Sequence, residues 1–413
     1  MDKLKLLLLN SHIPKDPLVD DNCIELLLSM DIPHLDYTKL YHNYGFDGVH
    51  NYIREYVKKN GINAILYWSY PWEFYFDVHL FEELRKEIFL AMMTGDTACF
   101  YEVRDQYYAQ AMDLVIHSTD FIALFKLREI GIDSITYFGY FDPNLFPKIE
   151  NLPKNIDVSF IGQITDKIGR STYINYLLEN NINVETFGLR SSRGRVSHKD
   201  KIEIFNRTKI NLNFSGLAET SNLTKNYSIH KRKRQINGRT FEIAMCGGFV
   251  LCEYAYGIEN LFEIGKEIDV FYDKEDLLKK IRYYLEHEEE RAAIARRGYE
   301  RAIKDYDAKL NVPQLIATID ERRKKKTYKP SEIYLDEEFM RNYTTYRVLL
   351  IIKFIKAGKW KFAYEELKII LKYRKLDWWQ IRIFFIEEFL NPFPKIKSVL
   401  KTILERNKIR SKK

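Results

Sequence analysis

The chain has 413 residues, 46% of them hydrophobic and 30% charged, a balance that sets aside disordered and fibrous classes and supplies two or three cores. Its four cysteines (Cys23, Cys99, Cys246, Cys252) form neither a CxxC pair nor a Cys/His set at zinc spacing, which fits buried thiols in a reducing compartment. The formal net charge of +7 is uneven: from Ser331 onward 19 Lys/Arg stand against 10 Asp/Glu, so a basic tail on a near-neutral body points to an anionic partner or surface.

Leu4–Leu9 is a continuous apolar run. It is too short to span a membrane and lacks a small-residue cleavage site, so it reads as a buried first strand of a cytoplasmic protein. Helical spacing follows at Cys23–Met30 and Val49–Asn60, the latter stopped by Gly61. Strand candidates Asn63–Tyr67, Ile88–Met93, Leu114–His117 and Ser134–Tyr137 alternate with helix candidates Phe81–Lys86, Tyr101–Ala111 and Phe121–Ile130. Apolar strands separated by helices predict a parallel sheet covered on both faces. Gly139–Lys154, with Pro143, Pro147 and Pro153, breaks the pattern and reads as a linker.

A second series begins at Ile156–Gly162. Its predicted strands are Val184–Phe187, Ile210–Phe214, Phe249–Cys252 and Val270–Phe271. Its predicted helices are Tyr173–Asn180, Lys199–Asn206, Arg239–Met245, Lys274–His287 and Arg291–Tyr306. Beyond Tyr328 only helices are expected: Glu337–Ile355, Lys359–Tyr373, Trp378–Phe389 and Ile396–Arg406. The division is therefore 1–145, 146–328 and a helical appendage over 329–413.

Chemistry concentrates at Gly238-Arg239-Thr240-Phe241-Glu242 and the following Cys246-Gly247-Gly248. A short helix starting after a glycine offers N–H groups and a positive dipole end to a pyrophosphate. Arg239 adds a charge-assisted bond, and Glu242, one turn on, can accept from two ribose hydroxyls. Gly247 and Gly248 let the chain turn into the next strand. The plain alternative is a capped helix and a tight turn in any αβ unit.

The order of elements here resembles a known family. Arg239, Phe241 and Glu242, then Cys246-Gly247-Gly248-Phe249-Val250-Leu251, Glu253-Tyr254, Gly257, Glu259-Asn260-Leu261-Phe262, Gly265-Lys266-Glu267 and Phe271 look like the C-terminal half of GT-B glycosyltransferases. The closing Glu289-Glu290-Arg291, Ile294-Ala295 and Gly298 fit as well. The closest branch is "glycosyl transferases group 1", with its spore-maturation-type and surface-polysaccharide enzymes. The resemblance spans Asp157–Tyr306. It implies two Rossmann-like doubly wound domains facing a cleft, and transfer of a sugar from a nucleotide diphosphate to a glycan, lipid-linked or protein acceptor. It implies that Glu242 holds the donor ribose and that Gly238–Thr240 hold the diphosphate. Gly162 and Arg170, in the loop after the domain's first strand, then contact phosphate. Lys225 and the run Lys231–Arg234 stand ready to neutralise the leaving diphosphate, or form a solvated basic loop. Many retaining relatives carry a second glutamate seven positions ahead of the ribose-binding one; this sequence has Gln235 there, so the stereochemical outcome stays open.

The first unit is expected to bind the acceptor. Asp96 follows an apolar strand in Thr94-Gly95-Asp96, where a general base would face the cleft, with Asp105 and His12 as alternatives. Trp68, Tyr70, Trp72 and Phe74 suit stacking on a sugar or lipid acceptor, or wall packing. No HxxxH, HExxH or EF-hand pattern is present, and no metal is expected, since a GT-B enzyme stabilises its leaving group with dipoles and cations instead. No cofactor is expected beyond the nucleotide-sugar donor. The alternating cations and aromatics from Arg347 to Phe389 fit either a membrane-surface anchor or a helical hairpin packed on the second domain or on another copy. They accompany no nucleic-acid recognition motif. Two rival functions share the fold: a nucleotide-sugar epimerase, and a non-catalytic nucleotide-sugar-binding scaffold.

Overall fold

The computed structural model describes residues 3–11, 22–68, 70, 73–95, 97–118, 121–139, 141–164, 169–216, 234–390, 396, 399 and 400. Two wholly parallel sheets organise it. The first contains β1 (Leu6–Asn10), β2 (His34–Asp36), β3 (Ala64–Trp68), β4 (Phe89–Thr94), β5 (Leu114–His117) and β6 (Ser134–Thr136), in the order β2-β1-β3-β4-β5-β6. The second contains β7 (Ile156–Ile161), β8 (Val184–Phe187), β9 (Thr208–Asn213), β10 (Val250–Glu253) and β11 (Asp269–Phe271), in the order β11-β10-β9-β7-β8.

The period of two along a strand divides each sheet between two cores. Leu7, Leu9, Ile65, Tyr67, Leu90 and Met92 point to one face of the first sheet, onto the helices Tyr37–Asn60 and Val78–Arg85. Leu6, Leu8, Leu66, Ala91 and Met93 point to the other. There they meet Leu27 and, from further along the chain, Val312, Leu315 and Ile319 of the helix Ala308–Lys324. The second sheet divides likewise, with Val158, Phe160, Ile210 and Leu212 on one face and Val250 and Cys252 on the other.

Several features differ from the sequence reading. The helix before β3 begins at Tyr37 and is capped by Asp36, which accepts from the N–H groups of Thr38 and Lys39 at 3.1 Å each. It tolerates Gly45 at φ 71 by kinking there. The expected helix at 101–111 is instead Thr97–Phe100, a π-turn over Tyr101–Asp105, and Gln106–Ala109.

The C-terminal helices Glu337–Lys356 and Trp360–Tyr373 pack on the first sheet's layer, not on the second. Phe339, Tyr343, Tyr346, Leu350 and Phe354 share a core with Tyr37, Tyr41, Phe74 and Tyr75. At its centre Arg347, fully buried, donates to Tyr41 Oη at 2.7 Å and pairs with Glu366 at 3.3 Å. Phe74 is wall packing: its ring meets Phe339 edge-on at 5.7 Å. Trp72 and residues 401–413 lie outside the described residues. Among the described residues no helix is long and apolar enough to cross a membrane.

Candidate functional site

β7 and β9 lie side by side, with Phe160 opposite Leu212, and end together at Ile161 and Asn213. The turns leaving their C-terminal ends open a cavity of about 340 Å³ at the start of the helix Arg239–Met245. Gly162, Gln163, Arg170, Asn213, Ser215, Gly216, Gln235, Asn237, Gly238, Arg239 and Glu242 line it from the second unit, and Cys99 closes it from the first. Ligands of open parallel sheets bind at this end of the strands, and the volume is in the range of small-ligand sites.

Glu242 is the centre of charge. Its Oε2 lies 3.2 Å from Arg239 Nε and 3.2 Å from Lys201 Nζ. Burial pushes its pKa up, but the Arg239 and Lys201 charges outweigh that and leave it below the usual 4.5, so the group is a carboxylate. Lys201, only 7% exposed, comes from the helix His198–Arg207 and was not foreseen. The signal was a lysine beside Ile202 on that helix's core-facing side.

Arg170 reaches the same cavity from the first turn of the helix Arg170–Glu179. It donates to the carbonyl oxygens of Gln163 at 3.1 Å and Gly216 at 3.3 Å, and its Nε has no partner among the described residues. Burial, followed by the nearby Arg239 charge, pushes its pKa down to about 10. Arg239 in turn donates to the Ile161 carbonyl. Arg239 and Lys201 thus share the Glu242 carboxylate, while Arg170, turned to two carbonyls, lines the same cavity as Arg239, an arrangement that favours an anionic ligand.

The helix start is less open than the sequence implied. Asn237 Oδ1 accepts from Arg239 N at 3.2 Å, and Asn237 O accepts from Thr240 N at 3.3 Å. Gly238 O accepts from Phe241 N at 3.0 Å and Glu242 N at 3.1 Å. The Asn237 side chain therefore already takes one of the N–H groups that the open helix end was expected to offer. Gly238 lines the cavity, while Thr240 is buried and accepts from Asn213 Nδ2 at 2.8 Å, which fixes the helix on β9. Gly162 also lines it. Gly188, at φ +116, backs that turn so tightly that a Cβ would sit 2.5 Å from the Gly162 carbonyl oxygen.

Other expected site residues are placed elsewhere. Gly247 and Gly248 are at the far end of the Arg239 helix, away from the cavity. Gly247 adopts φ +68, and Gly248 has no room for a Cβ, with Asn211 Nδ2 2.8 Å away. Arg234 donates to Glu253 Oε1 at 2.6 Å, so its charge is already matched, and it borders a smaller crevice with Ala98 and Lys126. Glu253 Oε2 also accepts from Ser215 N and Gly216 N, each at 3.1 Å, and so shapes the cavity's rim. Asp105 is 2% exposed and paired with Arg104 at 2.8 Å in the first unit's core, not in the cavity. Asp96, His12, Lys225 and 231–233 lie outside the described residues. Next to position 96, Thr97 donates to Thr94, whose hydroxyl lies 3.1 Å from Nδ1 of the buried His117. Among the described residues no group of three or more His, Cys, Asp or Glu side chains is placed to hold a metal ion.

The comparisons with known proteins bear on both units. Residues 154–317 match a family model described as "Glycosyl transferase-like". Over its whole length the HepE protein of Anabaena, solved in complex with UDP, superposes on 77% of this chain with a TM-score of 0.54 and 13% identity. The fold is that of the GT-B glycosyltransferases. The sucrose-phosphate synthase of Thermosynechococcus elongatus matches over its full length and 78% of this chain, at TM-score 0.53 and 12% identity. A glycosyltransferase from Rickettsia africae does so over 79% of this chain, also at 0.53 and 12%. No curated protein matches in sequence. The described cavity is lined by the second unit, with Cys99 from the first.

Proposed function

We propose that this chain is a glycosyltransferase that takes a nucleoside-diphosphate sugar into the Arg170–Arg239–Glu242 cavity and passes the sugar to a glycan, lipid-linked or protein acceptor without a metal ion. The supporting observation is the charge arrangement: two guanidinium groups and an ionised carboxylate face one cavity of about 340 Å³. The diphosphate lies against Arg170 and Arg239, and the ribose hydroxyls donate to Glu242. The acceptor approaches from the Cys99 side. Asp96, as general base, takes the proton of the acceptor hydroxyl while its oxygen attacks the anomeric carbon. The anomeric C–O bond to the diphosphate breaks, and the charge that develops on the leaving phosphate meets the two guanidinium groups. Direct displacement inverts the anomeric centre. The HepE structures hold UDP and UDP-glucose, so uridine nucleotides are the first probes.

The exposed residues Trp360, Tyr364, Leu367 and Leu371 recur along one face of the helix Trp360–Tyr373, with Lys361, Lys368 and Lys372 among them. This face, on a tail with 19 cations against 10 acids, suits an anionic membrane surface that carries a lipid-linked acceptor.

Thermal stabilisation against a panel of nucleoside diphosphates and nucleotide sugars tests the donor site. A ligand at a hundred times its dissociation constant adds about 2.7 kcal/mol. One nucleotide should shift the melting temperature of the wild type and not of Glu242→Ala. No shift with any nucleotide sinks the donor reading. Donor binding with hydrolysis or isomerisation but no transfer moves the assignment to the epimerase class. Flotation with vesicles rich in phosphatidylglycerol tests the tail: Trp360→Ser/Leu371→Ser should release the protein, and equal flotation of both proteins refutes the surface.

A further inference from the structure

A second cavity, of about 320 Å³, opens at the opposite end of the second sheet. Its lining includes Lys154, just before β7, Lys209 at the start of β9, and Gly247 and Phe249 just before β10. These are the N-terminal ends of strands whose C-terminal ends border the cavity described above. Six-residue strands put the two sites about 16 Å apart. The far wall is one face of the helix Glu288–Tyr306, from which Arg291, Arg296 and Tyr299 project at helical spacing.

Five cations line this cleft: Lys148, Lys154, Lys209, Arg291 and Arg296. Three carboxylates oppose them. Glu150 pairs with Lys148 at 2.8 Å, Asp157 with Lys209 at 2.7 Å, and Glu288 stands 3.8 Å from Arg291. Lys154 and Arg296 have no acidic partner among the described residues. Arg291 is 5% exposed and is anchored by its bond to the Tyr284 carbonyl, which holds its charge in place without cancelling it. Lys148 lies along Gly247 and reaches over the Tyr299 ring at 5.6 Å, so part of the wall is apolar. The first turn of the helix Glu288–Tyr306 adds its positive dipole end to the same side. Partial desolvation, followed by the Arg291 charge, pushes the Lys154 ammonium down to about 8, the effect expected where cations crowd without a counter-ion.

We propose that this cleft is a second anion-binding site, separate from the donor cavity, which takes a compact phosphorylated ligand carrying at least two negative charges. The excess of two cations over carboxylates matches such a charge. A pre-anchored Arg291 and the Tyr299 ring give shape to what would otherwise be a patch of mobile lysines. The site touches Gly247, at the C-terminal end of the helix whose other end carries Arg239 and Glu242, so an occupant bears directly on that helix.

The test is isothermal titration of the full chain with inorganic pyrophosphate at low salt. The background is Arg239→Gln, so that the donor cavity does not dominate. One saturable site should remain in that background. Adding Lys154→Gln and Arg296→Gln, both exposed and unpaired, should weaken it at least tenfold without lowering the melting temperature. Lys154→Arg with Arg296→Lys should keep it. Soluble short-chain phosphatidic acid forms the second arm: tighter binding than pyrophosphate, lost in the same variant, identifies a lipid headgroup as the source of the phosphate. Absence of saturable binding by either probe overturns the proposal. So does binding that ignores the Lys154/Arg296 substitutions. Because no probe contains a nucleoside, failure here leaves the donor reading standing, and failure of the donor reading leaves this site standing.

Discussion

Replacing Glu242 by Gln keeps the shape of the side chain and removes its charge, which isolates the electrostatic role of this residue. At 3.2 Å and an effective dielectric near 20, each of its two ion pairs has a gross attraction of about 5 kcal/mol. Desolvation offsets most of this, because Lys201 is nearly buried and Arg239 is one-quarter exposed. Removing the shared partner then leaves two neighbouring cations in partial burial, at a net cost of about 2 kcal/mol. For a domain of this size that lowers the melting temperature by about 4–8 °C. The sign of the pH dependence follows from the depressed folded pKa. The stabilisation is complete above the unfolded value near 4.5 and is lost as pH falls through the folded value, so the gap between wild type and variant should close below pH 4.5. Differential scanning calorimetry across pH 3–8 reads this directly. Loss of a charged acceptor for ribose should also weaken nucleoside-diphosphate binding by about 10–100-fold, measured by titration. Equal melting temperatures at pH 7, together with affinities within about twofold, refute both the triad and its role.

Burial pushes His117 down to about 3 and His50 to about 4, so both are neutral when folded. As pH falls below 6.5 the unfolded chain takes up protons that the folded one refuses. Stability should drop by up to about 1.4 kcal/mol per pH unit for each histidine, and His117→Gln should flatten that slope in urea titrations. Glu366→Leu strands the fully buried Arg347 and should cost about 3–5 kcal/mol by chemical denaturation, whereas Arg347→Met with Glu366→Leu should recover much of the loss. Gly188→Ala combines a left-handed backbone with a Cβ 2.5 Å from the Gly162 carbonyl. It should cost about 1–3 kcal/mol and weaken nucleotide binding more than a distant substitution of equal destabilisation.

The sequence exposed the sheets well because parallel strands buried on both faces are continuous apolar runs. Leu114–His117 and the run through Phe89–Met93 are strands where the pattern put them. It exposed less where tertiary packing decides. β2 is only three residues long and has no run to notice. Ala308–Lys324 carries Pro313 and Asn311, and only the Val312, Leu315 and Ile319 stripe facing the first sheet makes it a helix of that layer. In the cavity, Glu242, Arg239 and Arg170 stand in the sequence as charges beside glycines, and the fold brings all three to one lining. Lys201 was not legible there, since its contact with Glu242 is made only when two helices meet. Arg234 shows the reverse: its basic neighbours suggest a phosphate ligand, and its partner in the fold, Glu253, comes from a strand that the local sequence does not indicate.

The arginines of the cores and those that line cavities are anchored differently in this molecule. Arg347 is held by Glu366, Arg104 by Asp105 and Arg85 by Glu82 and Asp113, and in each the guanidinium charge is cancelled where it stands. Such pairs orient elements but have little field left for a ligand. Arg170 is oriented instead by the carbonyls of Gln163 and Gly216, and Arg239 by that of Ile161 with half a claim on Glu242. A carbonyl dipole fixes the plane of the guanidinium and leaves its net charge, so the side chain is preorganised for an anion at no cost in reorganisation. Arg291 is intermediate, bound to the Tyr284 carbonyl with the exposed Glu288 at 3.8 Å, and it too faces a cavity. Carbonyl anchorage thus sets Arg170, Arg239 and Arg291, which line cavities, apart from the acid-paired arginines of the cores.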